Sequence, residues 1–179
     1  YAYGWTTMDK ARSFFSSLKR TPEKINIYIT GEAVWSVPSN KDIEVVTNFL
    51  GRNVSWWWNY PCNDNAMSRL FTLDTYTNFR DEKAIDNLAR LETSLNGLNT
   101  LILNPMQQGE VAKTSFFCIA DYSWNTAAFN NDLSWQASLP AIMGKERAAD
   151  FRIIAPYLRY FDNDAFGLNV TRYKESVEK

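Results

Sequence analysis

Four polar side chains and one indole stand where a chain of alternating strands and helices does its chemistry, at the carboxyl ends of the strands. Thr30 closes an alternating run over 25–30, Asn59 follows the strand pattern Val54–Trp58, Asn104 follows Leu98–Leu103, and Asp64 lies five residues beyond Asn59. Side chains alternate across a strand, so Asn59 shares a face with Trp57 and Ser55 while Trp56 and Trp58 point the other way. By the same rule Asn104 shares a face with Ile102 and Thr100, and Thr30 with Tyr28. Neutral amides, a hydroxyl and one carboxylate beside an aromatic wall suit a polyhydroxylated neutral ligand. Directional donors and acceptors match its hydroxyls, and an indole covers its apolar face. Trp56 and Trp58 read as core, and turn capping is the competing role for Asn59 and Asn104.

Composition removes other chemistries. The 179 residues hold 19 Lys and Arg against 20 Asp and Glu, a net charge of -1, and no histidine. There is thus no Ser-His-Asp or Cys-His nucleophile system, and two cysteines cannot close a four-ligand zinc cage, so neither a metal nor a cofactor is expected. A near-neutral chain lacks the basic excess that nucleic acid or an anionic membrane surface requires, and no apolar stretch approaches a membrane span of about 18 residues. Cys62 and Cys118 read as two free thiols or one bridge, and the lack of a cysteine framework favours free thiols. Residues 1–5 resemble neither a signal peptide nor a capped start, and read as the interior of a larger protein.

The positioning elements follow from periodicity. The run 25–30 predicts a strand ending at Gly31; Ser39 and Asn40 then offer helix caps, with Ile43, Val46 and Leu50 on one face before Gly51. Val54 to Trp58 is the second strand. Ile85, Leu88, Leu91 and Leu95 predict a helix over 81–95, and the third strand is 98–103. Helical spacing returns over 109–124, around Trp135, Leu139 and Ile142, and from Phe151 to Phe161, where Pro156 predicts a kink or break around Ala155. This order is the grammar of a parallel sheet with helical crossovers, an α/β class. A closed (β/α)8 TIM barrel needs eight units, so three units amount to about half a barrel; no glycine-rich phosphate loop supports a nucleotide-binding sheet instead.

Residues 25–36 (INIYITGEAVWS), 55–64 (SWWWNYPCND), 104–106 (NPM) and 109–125 (GEVAKTSFFCIADYSWN) resemble the second half of the catalytic barrel of glycoside hydrolase family 84. That family holds bacterial β-N-acetylglucosaminidases, clostridial enzymes known as hyaluronidases, and O-GlcNAc hydrolases. The motifs occur in the family's order and cover about residues 25–140. The resemblance implies the carboxyl-terminal half of the barrel over 1–143 and the start of a helical appendage over 144–179.

It also implies roles. Asp64 would bind the outer hydroxyls of a terminal GlcNAc, Asn59 would lie beside its acetamido group, Asn104 would bind a hydroxyl, and Trp57 would wall the acetamido pocket. Thr30 matches a rim threonine, and Tyr3 in Tyr3-Gly4-Trp5 matches a tyrosine that orients the acetamido oxygen. Family chemistry is retaining and substrate-assisted, run by an adjacent pair of aspartates at the end of the fourth strand. This chain contains no Asp-Asp dipeptide, so it is expected to hold no catalytic residue and to be inactive alone. Ile29 replaces a tryptophan, FTLD at 71–74 replaces a Leu-Gly-Pro, and Gln107 with Gln108 replaces Glu-His, which bears on the leaving-group side of specificity.

The competing reading is a non-catalytic carbohydrate-binding module derived from such a barrel. The expected partner is a GlcNAc-containing glycan or glycoconjugate. Open strand edges and a bare lumen face require cover from a second copy or from the rest of the barrel. For a bacterial member the family expectation is an extracytoplasmic location.

Overall fold

In a computed structural model, residues 8–31, 36–64, 70, 75–77, 84–86 and 91–158 are described. They fall in two compact units: 1–60 with 91–104, and 61–90 with 105–179.

The first unit holds helix α1 (Met8–Leu18), strand β1 (Tyr28–Ile29), helix α2 (Asn40–Leu50), strand β2 (Val54–Trp58) and a strand numbered β5 by its place in the chain (Leu98–Leu103). The strands form a parallel sheet in the order β1-β2-β5. Apolar alternation sends Trp56 and Trp58 to one face, where they are 0% and 1% exposed, while Trp57 on the other is 41% exposed. Trp58 stacks on buried Tyr60 with centroids 4.8 Å apart. The helix between β1 and β2 starts as its sequence predicts: the Ser39 hydroxyl accepts from the backbone N–H of Asp42, and Gly51 ends α2 with φ 73°.

Two sequence expectations change. Only Tyr28 and Ile29 of the run 25–30 are strand, although Ser55 N–H also donates to Ile27 O. The helix expected over 81–95 is not formed where the chain is described. Residues 84–86 are a strand and 91–95 are irregular, while 81–83 and 87–90 lie outside the described residues. The physical reason lies at Asn40. Glu92 accepts from the Asn40 backbone N–H at 2.8 Å and from its side-chain amide, Ser94 O accepts from that same amide, and Asn40 Oδ1 accepts from Asn96 N–H at 2.7 Å. The Glu92 carboxylate, Ser94 O and Asn96 N–H are thereby tied to α2, and 84–86 pair with 75–77, a tertiary override of propensity.

α1 went unread in the sequence although Phe14, Phe15 and Leu18 lie at helical spacing. Phe15 meets Phe49 of α2 edge-on at 6.3 Å, and the Lys19 ammonium sits 4.4 Å from the centroid of the Phe49 ring. At the turn after β1, Gly31 has φ 81°. A Cβ there would lie 2.5 Å from Ser36 Cβ and 2.9 Å from the Trp56 ring, so a side chain is excluded by both conformation and space.

The second unit holds strands β3 (Thr75–Thr77) and β4 (Ala84–Asp86), paired antiparallel, and helices α3 (Gly109–Trp124), α4 (Asn131–Met143) and α5 (Lys145–Leu158). α3 packs on α4 and α4 on α5. The helical expectations for 109–124 and for the residues around Trp135 hold. α5 continues to Leu158, two residues past Pro156 rather than breaking at Ala155. Met106 and Ala112 form a small core with Leu70, Val111 and Phe116, and Leu70 N–H donates to Leu158 O at 2.9 Å.

Arg52 ties the amino end of the sheet. Its guanidinium donates to the carbonyls of Thr21, Pro22, Glu23 and Ile25 at 2.6 to 3.2 Å, fixing the turn that delivers β1 beside β2. Arg52→Ala is expected to lower unfolding free energy by about 2 kcal/mol, the scale of hydrogen bonds to a charged group. Arg52→Lys should recover little, because an ammonium cannot reproduce the fork. Denaturant unfolding checks this, and a loss below about 0.5 kcal/mol would refute the role.

Candidate functional site

Register decides what the strand ends present. β2 and β5 pair as Val54 with Leu98, then as Trp56 with Leu101, Trp57 with Ile102 and Trp58 with Leu103. The pairing thus shifts by one residue between Val54 and Trp56. A one-residue shift moves a strand's side chains to the opposite face relative to its neighbour. After it, Thr100 comes level with Ser55: their hydroxyl oxygens are 2.9 Å apart, and Thr100 Oγ1 is 3.2 Å from Tyr28 OH. These three hydroxyls form a polar row across all three strands.

Two layers further on, the same register places Asn104 opposite Asn59. Asn104 N–H extends the ladder to Trp58 O at 2.8 Å, and Asn104 Nδ2 donates to Asn59 Oδ1 at 2.9 Å. Trp57 Nε1–H donates to the same Asn59 oxygen, also at 2.9 Å. The indole, the two amides and the hydroxyl row therefore lie on one face of the sheet, opposite the buried Trp56 and Trp58. Both amides are partly buried, while Ser55 of the hydroxyl row is fully buried.

Thr30 is exposed just past β1, and no described contact joins it to the amide pair. Tyr3 lies outside the described residues. Asp64 belongs to the second unit, where it is exposed and its Oδ1 accepts from the thiol of buried Cys62 at 3.0 Å. Both cysteines are buried and neither is in a disulfide. In the same loop the sequence reading missed Asn63, which is buried and donates from Nδ2 to Gln108 Oε1 at 3.1 Å. That bond ties the Asp64 loop to the residue preceding α3; an amide pair 45 residues apart leaves no local signal. Among the described residues no cluster of three His, Cys, Asp or Glu side chains could hold a metal ion.

At the end of α3, the motif 120–125 divides by face. Tyr122 is buried edge-on against Phe129 at 5.5 Å, while Trp124 is 91% exposed.

Polar side chains at the carboxyl ends of parallel strands, beside an exposed indole, lie where β/α barrels carry their active sites. A family model described as beta-N-acetylglucosaminidase matches residues 3–156. The chain belongs to that β-N-acetylglucosaminidase family.

Solved structures agree on the fold. CpGH84D is similar at 23% identity and TM-score 0.70, over 91% of this chain and 26% of that one. CpGH84B is similar at 25% identity and TM-score 0.66, over 82% and 24%. A mutant of Thermobaculum terrenum O-GlcNAc hydrolase is similar at 18% identity and TM-score 0.68, over 96% and 35%. The α/β fold is thus that of part of a (β/α)8 barrel of glycoside hydrolase family 84 type, and the chain spans about a quarter to a third of the length of these structures.

Burial first, and then the hydrogen bond to Asp64 and its negative charge, raise the Cys62 thiol above its ordinary pKa. A thiol whose folded pKa is raised stabilises the fold fully below its unfolded pKa, and that contribution is lost as pH climbs through the folded value. Asp64→Asn removes the charge and should bring the thiol down toward its ordinary range. Thiolate absorbance against pH, in a Cys118→Ser background, reads the change; an unmoved titration would show that Asp64 does not act on Cys62.

Proposed function

We propose that this chain forms part of the GlcNAc-binding wall of a β-N-acetylglucosaminidase that releases terminal β-linked GlcNAc with retention of configuration. The observation that carries the reading is the amide pair: Asn59 and Asn104 joined at 2.9 Å at the ends of neighbouring strands, with a partly exposed indole bonded to the same oxygen. A rigid set of neutral hydrogen-bonding groups beside an aromatic ring matches an acetamido sugar and offers no charge to a polyanion. In this reading Asn59 would lie beside the acetamido group with Trp57 as its wall and Asn104 would hold a hydroxyl, while hydroxyl binding by Asp64 and rim roles for Thr30 and Tyr3 rest on the family resemblance alone.

The chemistry proposed is substrate-assisted. The acetamido carbonyl oxygen attacks the anomeric carbon as the glycosidic bond breaks, and a carboxylic acid protonates the leaving oxygen. The resulting oxazoline then opens as the same group, now a base, takes a proton from the water that attacks the anomeric carbon. A second carboxylate orients the acetamido N–H. Both would come from a part of the barrel outside this chain, which has no Asp-Asp dipeptide. We place the barrel portion at 1–143 and a helical appendage from 144, at the break where Gly144 takes φ 82° between α4 and α5. A GlcNAc-bearing glycan or glycoconjugate is the proposed partner, and the rest of the barrel the proposed cover for the lumen face.

GlcNAc is expected to change the tryptophan fluorescence of the purified chain through Trp57, while a chromogenic GlcNAc glycoside is left uncleaved. Asn104→Ala should weaken binding about tenfold, the loss of one or two hydrogen bonds. Hydrolysis by the chain alone would overturn the division of labour. Binding without hydrolysis even when the upstream barrel is restored would favour the non-catalytic module. No response to GlcNAc, or an unchanged affinity in Asn104→Ala, would overturn the wall itself.

A further inference from the structure

The indole nitrogen of tryptophan can only donate a hydrogen bond, whereas a side-chain amide can present either its oxygen or its nitrogen by turning over. That asymmetry has consequences at the end of β2. Because Trp57 Nε1–H points at the Asn59 amide from 2.9 Å, the atom it meets must be the acceptor Oδ1. Because Asn104 meets that same oxygen at 2.9 Å, it must do so with its donor Nδ2. Turning Asn59 over would set donor against donor, and turning Asn104 over would set acceptor against acceptor. The direction of one N–H is thus transmitted through two amides in series, and Asn104 is left with Oδ1 as the acceptor it offers a ligand.

We infer that Trp57 is a positioning residue: its indole N–H sets the polarity of the Asn59–Asn104 pair, so that Asn104 recognises a sugar hydroxyl as donor. This role rests on the GlcNAc-wall reading and adds to it, since a pocket wall needs only the face of the ring. Two observations support a polar role for this indole. Trp57 is 41% exposed and so is not held in place as core. Moreover, the indole nitrogens of Trp56 and Trp58 are buried without a hydrogen-bond partner among the described residues, so of the three consecutive tryptophans it is Trp57 that uses its N–H here. The amide pair also belongs to a fixed frame, because the Asn104 backbone N–H is held by Trp58 O.

The test compares the unsubstituted chain with Trp57→Phe, and with a chain carrying at position 57 the tryptophan analogue in which sulfur replaces the N–H. The analogue keeps the ring and removes the donor alone. Affinities are measured for GlcNAc and its 3-, 4- and 6-deoxyfluoro derivatives, since fluorine cannot donate. The unsubstituted chain should reject one fluoro sugar by about tenfold or more relative to GlcNAc. Without the indole N–H, rejection of that same sugar should fall to about threefold or less, because Asn59 and Asn104 can turn over together and place the Asn104 N–H where its oxygen stood.

Equal weakening toward all four sugars, or an unchanged ratio, would reduce Trp57 to a wall and overturn the inference. A ligand-free readout separates this failure from failure of the GlcNAc reading. In 15N-labelled protein, removing the N–H should shift or broaden the Asn104 side-chain amide signals, and unchanged signals would overturn the inference whether or not any sugar binds. Absence of GlcNAc binding to the unsubstituted chain, with those signals moving as expected, would sink the functional reading and leave the lock standing.

Discussion

The one-residue shift in pairing between β2 and β5 is the constraint on which the site depends. Parallel strands present matching faces only when their registers agree. Carrying the initial offset of Val54 and Leu98 forward would have set Leu103 opposite Asn59 and turned Asn104 toward the side of Trp56 and Trp58. The shift costs a ladder irregularity in the first half of the strands. In return Ser55 meets Thr100, Trp57 pairs with Ile102, and Asn59 meets Asn104. Polar and apolar layers are thereby sorted to opposite faces of one three-stranded sheet.

Stability and recognition are placed at opposite ends of those strands. At the amino ends, Arg52 gathers four carbonyls of the turn before β1, and Asn40 captures 92–96, so the entry of each outer strand is tied to the region around α2 and β2. At the carboxyl ends the groups are partly exposed and bonded mainly to one another. This division allows the carboxyl-end side chains to be shaped by a ligand while the packing of Trp56, Trp58 and Tyr60 holds the sheet.

Much of this was legible in the letters, and what was not has a common cause. The period of two sorts Trp56 and Trp58 from Trp57 directly, and Ser39 and Gly51 mark the ends of α2, because each signal lies within a few residues of what it governs. Pairing register carries no such local mark, so the sequence places Asn59 and Asn104 at strand ends without showing that their amides touch. The stretch 81–95 misled for a related reason: its apolar spacing is helical, but Glu92, Ser94 and Asn96 are used by Asn40, more than fifty residues away. Asn63 with Gln108 is a third case of a long-range amide contact invisible to periodicity. The family motifs bridged part of this gap, since they carry the outcome of the packing without its geometry; Tyr3 and residues 71–74 lie outside the described residues.

The central claim is that the joined amides and the neighbouring indole form one binding surface for an acetamido sugar. Titrating 15N-labelled chain with GlcNAc and following the side-chain amide and indole signals tests it directly. The account predicts that Asn59, Asn104 and Trp57 shift together along one saturation curve while the indoles of Trp56 and Trp58 stay in place. Signals from Asn59 and Asn104 that remain still as GlcNAc saturates, or a response confined to the exposed Trp124, would contradict it.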